Sequence, residues 1–364
     1  MENNIKRTLL ITTYFLPQIG GAENYLYSIY SRLDPHNIFV LAQTKGKVSE
    51  NNFDKNQPFK IWRTDFFSSK FKPSWWPLIE KVKKIVIANK IETLHFGHYA
   101  HYVFLAHWLK IPCVVYFHGT DLHNYSQSFI SRLLMRFNLA KANKIIVSSE
   151  FLKKKIIKVY NNAGKIEVVC PGINLAEFSL EKTREEIRRE MDIDSETKVI
   201  ISSGHLNYSK GFDLGIKAAS KLLRSGRKLR YFILGGGVEE KNLKKIVDEL
   251  GLNKQIILTG EIIDKKEYAK YFKMADLYLG PSRNEGFGIV FLEAQICGLP
   301  IVASNIGGVP EAAGKDAVLF DLSDVDSVVE AIKDGLKLKT SLNVNQDFSW
   351  EQKLVKFKKV LYNS

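Results

Sequence analysis

Between Asp276 and Ala303 the chain spells one complete strand–loop–helix–strand unit, and such a unit commits it to an open α/β sheet. Asp276-Leu277-Tyr278-Leu279-Gly280-Pro281 reads as a short buried strand ended by Gly-Pro. Gly288 to Cys297 reads as a helix. Gly298 is placed to cap its C-terminus, and Pro300 follows where a helix cannot continue. Ile301-Val302-Ala303 is the next strand. The loop between the first strand and the helix therefore lies at a strand's carboxyl end, where open α/β sheets bind ligands.

That loop and helix carry two glutamates, in Ser282-Arg283-Asn284-Glu285-Gly286-Phe287-Gly288-Ile289-Val290-Phe291-Leu292-Glu293. The helix is apolar nearly all round, so it is expected to be buried, and Glu293 with it. A buried carboxylate needs partners. Gly286 and Gly288 let the backbone approach a ligand closely. The amides of Gly288, Ile289 and Val290 stand at the helix N-terminus, which favours phosphate. Loop and second helical turn are about 10 Å apart at 1.5 Å per residue. That suits one carboxylate at a sugar and one at a ribose, with a diphosphate between them. The alternative is a loop Glu and a helix Glu in a structural salt bridge.

Similar strand-end turns recur along the chain. Leu9-Leu10-Ile11-Thr12-Thr13 is a strand, followed by Tyr14 to Glu23 with Gly20-Gly21, then an amphipathic helix on Tyr25, Leu26, Ile29 and Leu33. Val114-Val115-Tyr116-Phe117 runs into His118-Gly119-Thr120-Asp121. Val199 to Gly204 is a strand before His205-Leu206-Asn207-Tyr208-Ser209-Lys210-Gly211. Tyr231 to Leu234 leads into Gly235-Gly236-Gly237, and Ile256 to Thr259 into Gly260-Glu261-Ile262. Val168-Val169-Cys170-Pro171-Gly172-Ile173-Asn174 separates the halves, and Asn305-Ile306-Gly307-Gly308-Val309-Pro310-Glu311 opens a late helix.

In this order the motifs closely resemble the family 4 retaining glycosyltransferases of the GT-B fold, over almost the whole chain. The resemblance implies two Rossmann-like α/β domains facing a central cleft, with a last helix crossing back to the first domain. Residues 1–174, with 348–364 packed against them, would bind the acceptor, and 175–347 the nucleotide sugar. The last helix has its own support in the spacing of Trp350, Leu354, Phe357 and Leu361. Glu285, His118 and Lys210 become the catalytic candidates. Glu285 would hold donor sugar hydroxyls, Glu293 the ribose, and Lys210 the diphosphate. The rest of the implied donor site is Gly20, Gly21, His205, Gly260, Glu261, Ile262, Gly286, Phe287, Gly288, Ile289 and Val290. His118 and the Gly20-Gly21 loop would also face the acceptor. His205 departs from the pattern, for the family has an arginine there; Arg is a fixed, always charged fork and His is not. Ser282 and Arg283 receive no role, and Glu311 reads as structural.

Composition narrows the setting. The 364 residues carry a formal net charge of +14, and 45% are hydrophobic. Residues 1–174 hold 24 Lys and Arg against 11 Asp and Glu; residues 175–364 hold 29 against 28. The basic excess is thus confined to the presumed acceptor domain. Two stretches there mix basic and apolar residues: Lys72 to Lys84 with Trp75-Trp76, and Phe129 to Phe137 with Lys153, Lys154, Lys155 and Lys158 beyond. Tryptophan with lysine suits a membrane interface, and polybasic stretches are drawn to anionic lipid. The plain alternative is amphipathic helices with solvated lysines. No recognised nucleic-acid motif is present.

No apolar run of 18 residues occurs, the first residues lack a signal-peptide pattern, and Cys113, Cys170 and Cys297 have no metal or disulfide spacing. A cytoplasmic location, peripheral on the inner face of the cell membrane, is expected. The pairs Asp192/Asp194 and Asp324/Asp326 spell the metal motif of other transferase folds but read as structural, as do His95, His98, His101 and His107; neither a cofactor nor a catalytic metal is expected. The expected activity is sugar transfer from a nucleotide diphosphate sugar to a glycan, lipid-linked or polyprenyl-linked acceptor, with retention. The competing readings are a soluble transferase for a small-molecule or protein acceptor, and a non-catalytic nucleotide-sugar-binding subunit, which the His205 departure would favour.

Overall fold

The computed structural model describes residues 6–13, 15–17, 21–46, 48–66, 76–99, 101–119, 121, 128–338 and 348–362. The chain divides into two compact units, Met1–Pro171 with Trp350–Ser364, and Gly172–Ser349. The second unit opens at Gly172, not 175, and runs through Ser349. Its two ends are tied together: Ile173 pairs with Ser349, and the Ile173 amide donates to the Phe348 carbonyl at 2.9 Å.

The first unit is built on seven parallel strands in the order β3-β2-β1-β4-β5-β6-β7. They are β1 (Thr8–Thr12), β2 (Ile38–Gln43), β3 (Lys60–Thr64), β4 (Thr93–Phe96), β5 (Cys113–Phe117), β6 (Lys144–Val147) and β7 (Ile166–Val168). Its central strands are covered on both faces, so they read as unbroken apolar runs; β1 and β5 are buried at every position. The helix Trp350–Tyr362 belongs to this unit. It buries Trp350, Leu354, Phe357, Val360 and Leu361 in one core with Tyr25, Leu26, Tyr30, Val114 and Tyr116.

The second unit has six parallel strands in the order β10-β9-β8-β11-β12-β13. They are β8 (Lys198–Ser203), β9 (Leu229–Leu234), β10 (Ile256–Gly260), β11 (Leu277–Gly280), β12 (Ile301–Ser304) and β13 (Val318–Phe320). This is the doubly wound Rossmann order, and it reverses between β8 and β11. In such sheets the reversal leaves a crevice at the strands' carboxyl ends, where ligands bind. The loops that carry Lys210 and Glu285 leave from those two strands.

Candidate active site

The loops after β8 and β11 are fastened to each other by backbone and side chain. Gly211 has φ +66°, and a Cβ there would fall 1.9 Å from the Pro281 carbonyl oxygen, so only glycine lets the loops meet. The amides of Arg283 and Asn284 both donate to the Ser209 carbonyl, at 2.7 and 3.2 Å. The Arg283 guanidinium then straps the junction. It donates to both Asp213 carboxylate oxygens at 2.7 and 2.8 Å and to the Tyr208 carbonyl at 3.0 Å. Its Cζ also lies 4.2 Å from the centre of the Tyr208 ring. Asp213 responds with a lowered pKa, its bonds and charge attraction to Arg283 outweighing partial burial. Within this frame the Lys210 ammonium donates to Glu285 Oε2, both side chains being half-buried.

A third loop supports the second from behind. The Gly308 amide donates to the Glu285 carbonyl at 3.0 Å. A Cβ on Gly307 would meet the Glu285 carbonyl oxygen at 2.2 Å, and one on Gly308 the Gly286 oxygen at 2.1 Å. The glycine pair after β12 therefore exists to let this loop pack against Glu285-Gly286.

The helix begins one residue later than expected, at Ile289, with Gly288 (φ +95°) as its N-cap, and it ends at Ile296. Gly298 terminates it as expected: φ is +69°, its amide donates to Gln295 and that of Leu299 to Ala294. The expectation of all-round burial is corrected. Phe291, Leu292, Ala294 and Ile296 are buried, as is Phe287 before the helix, but Ile289, Val290, Glu293 and Cys297 are only half-buried. Residues 289, 293 and 297 follow the i, i+4 row, so the helix shows one partly open edge. Glu293 has its partner: the Tyr268 hydroxyl donates to Oε2 at 2.8 Å. Crowding by protein still raises its pKa, with the Tyr268 bond working against the rise.

The remaining donor candidates lie on the neighbouring strand ends. His205 is exposed and follows Gly204, whose missing side chain leaves room for the Lys210 stem: a Cβ there would lie 3.7 Å from Lys210 Cε. Gly260 closes β10, accepting from the Gly235 amide at 2.9 Å, and Glu261 packs beside Gly236. Ile262 is half-buried.

The acceptor-side candidates lie in the first unit. Gly21 opens the helix Gly21–Tyr30 and is exposed; Gly20 lies outside the described residues. His118 follows β5, and its Nε2–H donates to the Gly97 carbonyl at 2.9 Å. Burial drives its pKa down to about 4, against the pull of that bond, so the ring is neutral near pH 7. Asp121 accepts from the amides of His118 (2.9 Å) and Tyr99 (3.0 Å). Burial nevertheless raises its pKa to about 7. Asp121 is the weaker candidate of His118-Gly119-Thr120-Asp121 by sequence; its spacing of three, which lets its carboxylate accept from the His118 amide, is the signal for it.

His95, His98 and His107 pack against aromatic rings. His95 Nδ1 is 2.5 Å from the Tyr30 hydroxyl, and His98 Nε2 lies 2.7 Å from that of Tyr102. Burial lowers both to about 3. His107 meets the Phe137 ring edge-on, and the His101 side chain is outside the described set. Asp194 closes a turn onto the Thr197 amide, and Asp324 caps the helix Val325–Gly335. Among the described residues no three His, Cys, Asp or Glu side chains gather as a metal site.

Two Rossmann sheets, with a cation and a carboxylate held at the reversal point of the second, define a nucleotide-sugar glycosyltransferase of the GT-B fold. The family model Glycosyltransferase Family 4 matches residues 19–177, and the model Glycosyl transferases group 1 matches residues 183–350. Between them the models span nearly the whole chain, which belongs to the family 4 glycosyltransferases. It is 26% identical to a GDP-mannose-dependent alpha-(1-6)-phosphatidylinositol monomannoside mannosyltransferase of Mycolicibacterium smegmatis, over 90% of this chain and 88% of that one. It is 24% identical to the phosphatidylinositol N-acetylglucosaminyltransferase gpi3 subunit of Schizosaccharomyces pombe, over 94% and 77%. Its fold matches that of Anabaena HepE, solved with UDP and glucose, at TM-score 0.81 and 18% identity, covering 98% of this chain and 100% of the other.

Proposed function

We propose that this enzyme transfers a sugar with retention, without a catalytic metal, onto a lipid-linked acceptor in cell-surface glycan or glycolipid synthesis at an anionic membrane surface. The observation that carries the donor chemistry is the Lys210–Glu285 pair at the β8/β11 reversal. Each satisfies the other. A bound donor exchanges that contact for two better ones: Lys210 turns to the diphosphate and Glu285 to the sugar hydroxyls. Negative charge grows on the diphosphate as the glycosidic bond breaks. Lys210, the amides of Gly288, Ile289 and Val290, and His205 when protonated stabilise it from fixed positions. Glu293, held by Tyr268, takes the ribose, and the turn Gly260-Glu261-Ile262 the base. His118 and the loop at Gly20-Gly21 face the acceptor; neutral at working pH and with its one N–H committed to the Gly97 carbonyl, His118 acts through its shape.

The lipid acceptor is supported by the relatives, whose names specify phosphatidylinositol-based acceptors. It is also supported by the basic excess of the first unit. No helix among the described residues is long and apolar enough to cross a membrane, so membrane contact is peripheral in this reading. Incubation with GDP-mannose and a panel of UDP-sugars tests the proposal, with nucleotide release as the readout. Release that falls at least a hundredfold in Lys210→Ala and Glu285→Ala supports it; nucleotide binding without any release would leave only the binding-subunit reading.

A further inference from the structure

Of the two basic and apolar stretches, one is an ordinary helix. In Trp76–Asn89 the apolar Leu78, Ile79, Val82 and Ile85 are buried, and Glu80, Lys83 and Lys84 point outward. Lys72 to Trp75 lie outside the described residues.

The helix Phe129–Lys141 is different. Met135, Asn138 and Leu139 anchor it to the core. At about 100° per residue these three occupy one side of the helix, while Phe129, Ile130, Leu133, Leu134 and Phe137 fall together on the opposite side. Those five are 75%, 70%, 57%, 46% and 53% exposed. A helix with one apolar face sealed and a second open to water has a further surface to meet. Arg132 and Arg136 flank the open face on one edge and Lys141 on the other, and the helix contains no acidic residue. Trp108, half exposed, stands one residue beyond His107, whose ring touches Phe137. Beside the face is a groove of about 260 Å³ lined by Phe129, Arg132, Leu133, Arg136, Lys158 and Val159. Three cations over an apolar floor match a phosphate attached to an acyl chain.

We propose that Phe129–Lys141 lies in the plane of an anionic bilayer, inserts its five exposed apolar side chains among the lipids, and holds a lipid phosphate in this groove. The charge pattern argues against a second copy of this chain as occupant, since the face would oppose arginine to arginine. The inference rests on the membrane-surface reading above and names the contact it requires.

Flotation with vesicles of phosphatidylcholine alone, and with 30% phosphatidylglycerol, is the test (roughly the anionic charge of a membrane leaflet). Two triple variants accompany the parent: Phe129→Ser/Leu133→Ser/Phe137→Ser, and Arg132→Gln/Arg136→Gln/Lys158→Gln. The parent should float with the anionic vesicles. The apolar triple should lose binding at least tenfold, and the cationic triple should lose its preference for phosphatidylglycerol. All six positions are away from the donor site, so thermal stabilisation by nucleotide sugar should persist in both variants. Absence of parent binding, parent-like binding by both triples, or a parent dimer dissolved by the apolar triple would overturn the proposal. The donor assay separately decides whether the transferase reading stands.

Discussion

Arg283 is fixed across both carboxylate oxygens of Asp213 and over the face of Tyr208, so two loops from strands remote in sequence share one cationic strap. Lys210 and Glu285 project from the loops it joins. Arg283 is therefore a positioning residue. Arg283→Ala should destabilise the protein by about 1–3 kcal/mol, the scale of charge-assisted hydrogen bonds, and raise donor KM several-fold. Arg283→Lys keeps the charge without the fork and should recover little. A thermal melt beside donor kinetics checks this; an unchanged KM would make Arg283 a stability residue only.

Neutralising Glu285 separates the two partners of the central pair. In Glu285→Gln, Lys210 is no longer held by a carboxylate. Affinity for the bare nucleoside diphosphate should be kept or improved, while transfer falls sharply. Lys210→Ala should lose both. Calorimetric titration with GDP and UDP distinguishes them; weaker diphosphate binding in Glu285→Gln would contradict the exchange of partners.

His205→Arg restores a permanent charge at an exposed position beside the Lys210 stem. Donor affinity should rise by about fivefold to tenfold, worth about 1–1.4 kcal/mol. Affinity that stays the same would show that position 205 does not reach the diphosphate.

The pH dependence of stability carries opposite signs from neighbouring groups. His95, His98 and His118 have folded pKa values of about 3, 3 and 4, against roughly 6.5 in an unfolded chain. Their contribution is complete above the unfolded value and is lost as pH falls from there through about 4 and 3. Asp121, raised to about 7, does the reverse: its contribution is present below about pH 4 and is lost as pH rises through 7. Asp121→Asn keeps the acceptor for Tyr99 and His118 without a charge. Melts from about pH 4 to about pH 8 should show this variant gaining on the parent as pH rises; a constant difference would mean Asp121 titrates normally.

Phe357→Ala should cost about 3–5 kcal/mol, because the ring is fully enclosed between helix and sheet in the first unit. The loss should fall on the transition of that unit. A nucleotide-sensitive transition, belonging to residues 172–349, should stay where it is.

Much of this was legible because local rules agreed. The strand–glycine–helix grammar around Pro281, Gly298 and Pro300 spelled out the α/β class, and the motif order placed Lys210 and Glu285 at strand ends, where the structure pairs them. Arg283 escaped because its partner Asp213 is distant in sequence, in the first turn of the helix Phe212–Arg224, and no periodicity links them. Glu293 was misjudged because composition describes a helix's whole circumference, whereas exposure depends on which edge the fold leaves uncovered. The helix with an exposed apolar face was ambiguous for the same reason: Trp76–Asn89 and Phe129–Lys141 both mix lysine or arginine with apolar residues, and only packing tells which set is turned inward.

The pairing of Ile173 with Ser349 closes residues 172–349 into a continuous insertion, while the first unit takes in the helix Trp350–Tyr362 from beyond it. During synthesis on the ribosome, the later module therefore has all its strands and helices before the earlier one does. The first sheet must wait, with Tyr25 and Tyr116 uncovered, until Trp350 to Tyr362 emerge. A chain lacking that helix would present a finished second unit joined to a first unit whose core stays open to solvent.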